Sequence, residues 1–437
     1  MTFLIDFLGC KVNSYEVESV ANDLLTHEYT LYSGKGKPDI VIINTCSVTE
    51  TSGAKSRKMI RHYRFLYHKA IIIVMGCDSQ SEGENYTESL NADIVIGTTN
   101  RLKIRKYIEE FIRFKQKIYV HDDLIKNHKY EQMSVSHFLY NTRAYVKIQD
   151  GCDNYCTYCL IPYVRGHSRS RPEDEVITEI NNLVKSGYKE IVLVGIDMCN
   201  YGQDFKEKVT FSDLLEDILN KIPNLYRLRI SSIEESQIDD HFLDLLRKYT
   251  NIANHLHIPL QSGSISILEK MKRKYNLDNY RLKIKRIREI RPDIAISTDV
   301  IVGFPTETED QFMETYLFCK EMNFSKIHVF PFSDRKGTIA YNIVPKVSPE
   351  IKKDRVNRLI ALSNFLGQKY DNIFANRKIE FLFENYDQKR KAYRGHSSNY
   401  LETYYASNDN LTGQTKVVPY ISVFDNVKNN LFNGIDD

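Results

Sequence analysis

Three cysteines stand together at Cys152, Cys156 and Cys159, in a C-x3-C-x2-C spacing. Three thiolates on one loop can ligate three irons of a 4Fe-4S cluster and leave the fourth iron open. An open iron can chelate the amino and carboxylate groups of S-adenosylmethionine and pass an electron to its sulfonium. That breaks a carbon–sulfur bond and releases a 5′-deoxyadenosyl radical. The competing chemistry is a zinc knuckle with His167 as a fourth ligand. Structural zinc sites use four protein ligands, commonly in paired spacings, and this triplet has no convincing partner pair.

A second set is scattered. Cys10, Cys46 and Cys77 each lie just past an apolar run: Phe3–Leu8, Asp39–Ile43 and Ala70–Met75. In a parallel sheet the carboxyl ends of neighbouring strands meet at one edge, where ligands bind. Three thiols on those turns can share a second cluster, again with one iron uncovered. Buried cysteines are also common as small core residues, but identical placement in three successive units favours a shared centre. Cys319 falls on a helical stripe with Phe312 and Tyr316 and is expected in a core. Cys199 follows a strand near the expected site, with a structural role as its default.

The elements that must position these thiols follow from periodicity. Up to about residue 130, short apolar runs (the three above and Asp93–Ile96) alternate with amphipathic helical patterns at Ser14–Leu25 and Arg57–Phe65, which predicts buried parallel strands. Lys126–Asn141 is polar and reads as a linker. Six more candidate strands follow, at Ala144–Gln149, Glu190–Val194, Tyr226–Ile230, His255–Ile258, Ile294–Ile301 and Lys326–Phe330. Helical patterns lie between them, as in Glu173–Gly187, where Gly187 suits a C-cap. Six strand–helix units predict a partial (β/α)6 barrel with its ligands at the carboxyl ends of the strands. Beyond Tyr370, Lys378–Glu384, Tyr400–Tyr405 and Gln414–Val418 read as a small all-β barrel. The fold class is therefore α/β, with an N-terminal parallel α/β domain over 1–130, a central barrel over 138–368 and an all-β domain over 371–437.

Composition sets the outer limits. The chain has 437 residues, 42% hydrophobic and 27% charged, the balance of a soluble globular protein. A net charge of +3 neither supports nor excludes a nucleic-acid partner. The N-terminus lacks a basic leader or a small-residue cleavage site, and no apolar run reaches the roughly 20 residues of a membrane span. No membrane partner and a cytoplasmic location are expected. There, eight cysteines point to metal or redox chemistry rather than disulfides.

The motifs Leu8-Gly9-Cys10-Lys11-Val12-Asn13, Asn44-Thr45-Cys46, Gly76-Cys77 and Gly151-Cys152-Asp153-Asn154-Tyr155-Cys156-Thr157-Tyr158-Cys159, continued through Arg165-Gly166, together resemble the radical S-adenosylmethionine methylthiotransferase family. The resemblance implies an auxiliary 4Fe-4S cluster on Cys10, Cys46 and Cys77 and a radical 4Fe-4S cluster on Cys152, Cys156 and Cys159. It also implies a C-terminal barrel of the TRAM type that binds substrate. One S-adenosylmethionine would methylate sulfur at the auxiliary cluster; a second would generate the radical that takes hydrogen from carbon 2 of a tRNA adenine.

The Lys-Val-Asn after Cys10 and the Arg165–Arg171 run are similar to the branch acting on N6-threonylcarbamoyladenosine beside the tRNA anticodon. Branches acting on isopentenyladenosine tRNA or on a ribosomal-protein aspartate are the alternatives within the family. A non-enzymatic RNA-binding protein with structural metal sites is the alternative outside it. Expected cofactor contacts are Tyr158, Gly195, Ser231, Glu234, Gln261 and Gly303, on the cysteine loop and the barrel loops. Expected RNA contacts are Arg165, Arg169, Arg377, Lys389, Arg390 and Arg394, the last four interleaved with tyrosines that can stack on unpaired bases of an anticodon loop. A flavodoxin or ferredoxin is the expected reductant.

Overall fold

The computed structural model describes residues 1–83, 85–124, 129–139 and 141–422. Strands β1 (Thr2–Phe7), β2 (Thr30–Leu31), β3 (Ile40–Thr45), β4 (Ile71–Gly76), β5 (Ile94–Ile96) and β6 (Ile118–Val120) form one sheet, in the order β2-β1-β3-β4-β5-β6. Every pairing in it is parallel. Strands β3 and β4 are buried at every position because helices cover both faces, which is why they read as unbroken apolar runs. Register aligns Phe7 with Asn44 and Asn44 with Met75, so β1, β3 and β4 end level on one edge.

The middle of the chain holds β7 (Ala144–Lys147), the short pair β8 (Gln149–Asp150) and β9 (Arg169–Ser170), then β10 (Glu190–Val194), β11 (Arg227–Ile230), β12 (His255–His257), β13 (Ala295–Val302) and β14 (Lys326–Pro331). Two parallel ladders, β7-β10-β11 and β12-β13-β14, follow chain order and meet at a bridge between Leu228 and Ile252. This is the expected six-stranded partial barrel. The helix Glu173–Lys185 ends as its glycine requires: Gly187 has φ +95°, and the amides of Gly187 and Tyr188 donate to Val184 and Leu183 carbonyls.

Two expectations are corrected. The polar stretch 126–141 is not a solvated linker: Met133, Val135 and Phe138 are buried in the core shared by the N-terminal sheet and the barrel. Its apolar residues are too sparse to show a period, yet each finds a pocket. Residues 126–128 and 140 of that stretch lie outside the described residues. At the C-terminal end, β15 (Lys378–Asp387), β16 (Ala392–Ser397), β17 (Glu402–Tyr405) and β18 (Thr415–Pro419) form a four-stranded antiparallel sheet in the order β17-β16-β15-β18. β16 was missed because its sequence, AYRGHS, has no β-branched run. The strand expected from Tyr400 begins at Glu402, since Tyr400 itself turns the chain at φ +60°. Residues 423–437 of the proposed C-terminal domain lie outside the described residues.

Candidate active site between two thiol triplets

The three level strand ends bring Cys10, Cys46 and Cys77 together. Gly9 has φ +115°, and a Cβ there would lie 3.0 Å from Cys46 Sγ, so only glycine lets the first loop approach the second. The Asn13 side-chain amide ties the same loops by donating to the carbonyls of Leu8 (2.7 Å) and Thr45 (3.1 Å). The Thr45 hydroxyl donates to the Met75 carbonyl on the neighbouring strand. Burial pushes the Cys77 thiol up to about 12, with Arg165 pulling the other way and Cys46 and Cys10 close enough to add to the rise. Cys46 is raised by burial too. Iron ligation has to displace those protons, and a nearby cation offsets the charge that results.

That cation is Arg165. It is fully buried, and its Nε donates to Cys77 Sγ at 3.1 Å. The rest of its guanidinium donates to Asn13, Glu16 and Asp150 at 2.8–3.3 Å. Glu16 also pairs with buried Arg101 and Lys147. Burial alone would raise the Glu16 pKa, but Arg101, Arg165 and Lys147 outweigh it and hold the carboxyl well below the usual range. The network crosses from the N-terminal sheet to the barrel, fixing the two units at the point where the triplets approach.

The second triplet sits on the loop between β8 and β9. Backbone amides of Asn154 and Ile161 donate to Cys152 Sγ (3.5 Å) and Cys159 Sγ (3.4 Å). Arg273 lies 3.7 Å from Cys156 Sγ and pairs with Glu234. His167 pairs with Asp153 at 2.6 Å instead of turning to the thiols. Burial raises Cys159 to about 12 and raises Cys152 further, Asp197 adding to the latter.

A cavity of about 200 Å³ touches the loops that carry Cys46 and Cys159. Ser47, Val48 and Thr49, directly after Cys46, form one wall; Tyr158, Cys159 and Leu160 form another. Glu50 clamps the same seam, its amide donating to Ser333 Oγ and its carboxylate pairing with Arg335.

Known proteins agree with this geometry. A model described as the radical SAM superfamily matches residues 146–319, and the uncharacterized protein family UPF0004 matches residues 2–97. A threonylcarbamoyladenosine tRNA methylthiotransferase MtaB of Bacillus subtilis is 40% identical over 93% of this chain and 91% of its own. The MtaB protein of Aquifex aeolicus is 33% identical over 90% and 98%. A tRNA-2-methylthio-N(6)-dimethylallyladenosine synthase of Clostridium tetani is 36% identical over 89% and 87%. The chain belongs to the radical SAM methylthiotransferase family. Its fold also matches the radical S-adenosylmethionine methyltransferase TsrM of Kitasatospora setae, with TM-score 0.55 at 14% identity over 76% of this chain and 74% of that one.

S-adenosylmethionine and 4Fe-4S clusters are this family's cofactors, and both thiol triplets fit such clusters: three sulfurs each, all but the exposed Cys10 buried or half-buried, with amide or arginine donors beside them. Among the expected cofactor contacts, Tyr158 and Gln261 line the cavity beside Cys159. Glu234 lines another beside Cys156, with Asn154 and Cys199. Gly195 instead gives room to Met198 and Gln149, whose side-chain oxygen accepts from the amides of Ile196 and Asp197. Gly303 gives room to Lys352, and Ser231 lines a separate cavity inside the barrel. Cys319 is core, as expected.

The expected RNA contacts divide. Arg165 and Arg169 are buried, Arg169 donating to the Arg165 carbonyl, so neither presents its charge to RNA; the charge run marks a buried network, not a surface. Arg377, Lys389 and Arg390 are exposed. Arg390 stacks over the Tyr404 ring at 4.1 Å, and half-buried Arg394 pairs with Glu402. Sequence reasoning missed Arg273 and a cluster of His257, Asp299 and His328 whose ligand atoms lie within 4.8 Å of one another. It also missed that Lys11 enters the barrel. No local pattern marks these, because each depends on which strands face each other.

Proposed function

We propose that this protein is a tRNA methylthiotransferase that converts N6-threonylcarbamoyladenosine beside the anticodon to its 2-methylthio derivative, in the cytoplasm, drawing electrons from a flavodoxin or ferredoxin. The reading is carried by one cavity lined both by Cys159 of the loop triplet and by Ser47, Val48 and Thr49, the residues directly after Cys46, beside loops at the carboxyl ends of the barrel strands. The names of the relatives supply the nucleoside. When bound, the clusters and S-adenosylmethionine supply the radical and the methylated sulfur.

The chain's own residues do the rest. Cys152, Cys156 and Cys159 hold the radical cluster, and Cys10, Cys46 and Cys77 the auxiliary one. Arg165 balances the charge at Cys77, and Glu234 and Arg273 are placed to bind polar ends of S-adenosylmethionine beside Cys156. Tyr158 and Gln261 line the reaction cavity. Arg377, Lys389 and Arg390, with Tyr386 and Tyr393 nearby, suit phosphates and splayed bases of the anticodon loop. No helix among the described residues is long and apolar enough to cross a membrane.

Mass analysis of tRNA nucleosides tests the proposal. Deleting the gene should remove 2-methylthio-N6-threonylcarbamoyladenosine and restore its unmethylthiolated precursor. Persistence of the methylthio nucleoside would refute the assignment, and loss of the dimethylallyl derivative instead would move the protein to the other branch.

A further inference from the structure

Inside the barrel lies a larger cavity, about 400 Å³, with Lys11, Ser231, His255, Ser297, Lys326 and His328 on its walls. Tyr400 of the C-terminal region also lines it and is itself held by the Arg229 guanidinium 3.8 Å over its ring. The lining is polar, and its charges are unequal in freedom. Asp371 accepts from the Tyr420 and Ser422 hydroxyls, and Glu402 pairs with Arg394 and His396. Asp299, at the cavity's flank, is engaged by His257 at 3.3 Å. Lys11 and Lys326 have no ion pair or side-chain hydrogen bond among the described residues. His255 and His257 share the Ser297 hydroxyl at 2.9 and 3.0 Å, and buried His255 Nδ1 has no partner. Burial, with Arg229 next, keeps His255 neutral. The unspent charge facing this space is therefore positive, among hydroxyls and imidazoles.

Such a lining suits an anionic group that also carries hydroxyl and amide functions. An apolar occupant would cover half-buried Lys11 without supplying a counter-charge, whereas a carboxylate supplies one. Lys11 directly follows Cys10. On an adenine ring the N6 substituent leaves from the carbon two bonds from carbon 2. A base presenting carbon 2 to the Cys10–Cys46–Cys77 edge can turn its N6 arm towards Lys11, which lines the cavity.

We infer that this cavity is the receptor for the threonyl arm of the substrate, with Lys11 pairing its carboxylate and Lys326 adding to the positive field. The inference rests on the proposed function and adds the residue that selects the carboxylated arm over an apolar one.

Anaerobic turnover by the reconstituted full chain tests it with two synthetic anticodon stem–loops, one carrying N6-threonylcarbamoyladenosine and one its threonine carboxamide. The wild type should lose about 10-fold or more in kcat/KM on the carboxamide, the size of one charge-assisted hydrogen bond. Lys11→Met should lose a similar factor on the carboxylate and little more on the carboxamide, with iron content and cluster spectra unchanged; Lys326→Met should show a smaller loss of the same kind. Equal wild-type rates on both stem–loops would overturn the receptor, and that comparison needs no variant. Full carboxylate preference in both lysine variants would overturn it too. Failure of the wild type on either stem–loop, with turnover of a dimethylallyl one, would overturn the functional reading itself.

Discussion

The two thiol triplets are built in opposite ways. Cys152, Cys156 and Cys159 occupy eight consecutive residues of one loop, so the chain's local geometry nearly suffices to gather them. Cys10, Cys46 and Cys77 are gathered only because β1, β3 and β4 end level in a parallel sheet. The first needs a loop; the second needs a fold. Their electrostatics differ accordingly. The loop triplet has amide donors of its own and Arg273 at the edge of a cavity, whereas the assembled triplet leans on Arg165, buried in a network that spans two regions of the chain. The assembled site should therefore fail more readily when distant residues change.

The largest effect expected is a clean split between the two. Cys156→Ala should abolish S-adenosylmethionine cleavage and product together. Cys46→Ala should abolish methylthio product while reductive cleavage of S-adenosylmethionine persists, each variant losing about half of the iron in proportion to one cluster of two. Chromatography of 5′-deoxyadenosine separates these outcomes, and loss of cleavage in both would merge sites held here to be distinct.

Arg165→Met comes next. It strands Glu16 and Asp150 with fewer partners in the interior and should cost about 3–5 kcal/mol in denaturant unfolding. Auxiliary-cluster spectra should weaken before those of the radical cluster. Arg165→Lys should rescue little, since one ammonium cannot reproduce five donors in a plane.

Acid sharpens the same contrast. Glu16 is held below its ordinary value of 4.5. Its stabilisation is therefore complete above that value and is lost as pH falls below it, because unfolding then takes up a proton. Cluster-free wild type should lose stability on acidification below about 4.5, and Glu16→Gln should respond less steeply, as read by urea midpoints across pH. Gly9→Ala, with its Cβ pressed against Cys46 at a positive φ, should cost about 1–3 kcal/mol and lower auxiliary iron without touching S-adenosylmethionine cleavage. Smallest should be Arg390→Ala on the exposed C-terminal surface. Both clusters should remain, tRNA affinity should weaken a few-fold, and the salt slope of binding should fall by about 1.

Much of this was legible in the chain. Apolar runs of the right length marked β3, β4, β10 and β14 within a residue or two; the C-x3-C-x2-C spacing pointed to one thiol triplet, and the placement of Cys10, Cys46 and Cys77 just past apolar runs pointed to the other. The failures share a cause. β16 escaped because Arg394, Gly395 and His396 interrupt any strand pattern, and pairing with β15 and β17 supplies what propensity lacks. Met133, Val135 and Phe138 were passed over because isolated apolar residues carry no period.

The arginines show the limit most plainly. Arg165 looked like a surface cation beside a basic run, yet its partners lie up to 152 residues away, at Asn13, Glu16 and Cys77. Sequence alone determined which residues are the candidates for the chemistry and which strands precede them, because spacing and hydrophobic period are local properties. Only the tertiary structure decided which charges are buried together and that Lys11 faces into the barrel. Both depend on how two separately wound regions meet, and no stretch of either encodes that contact.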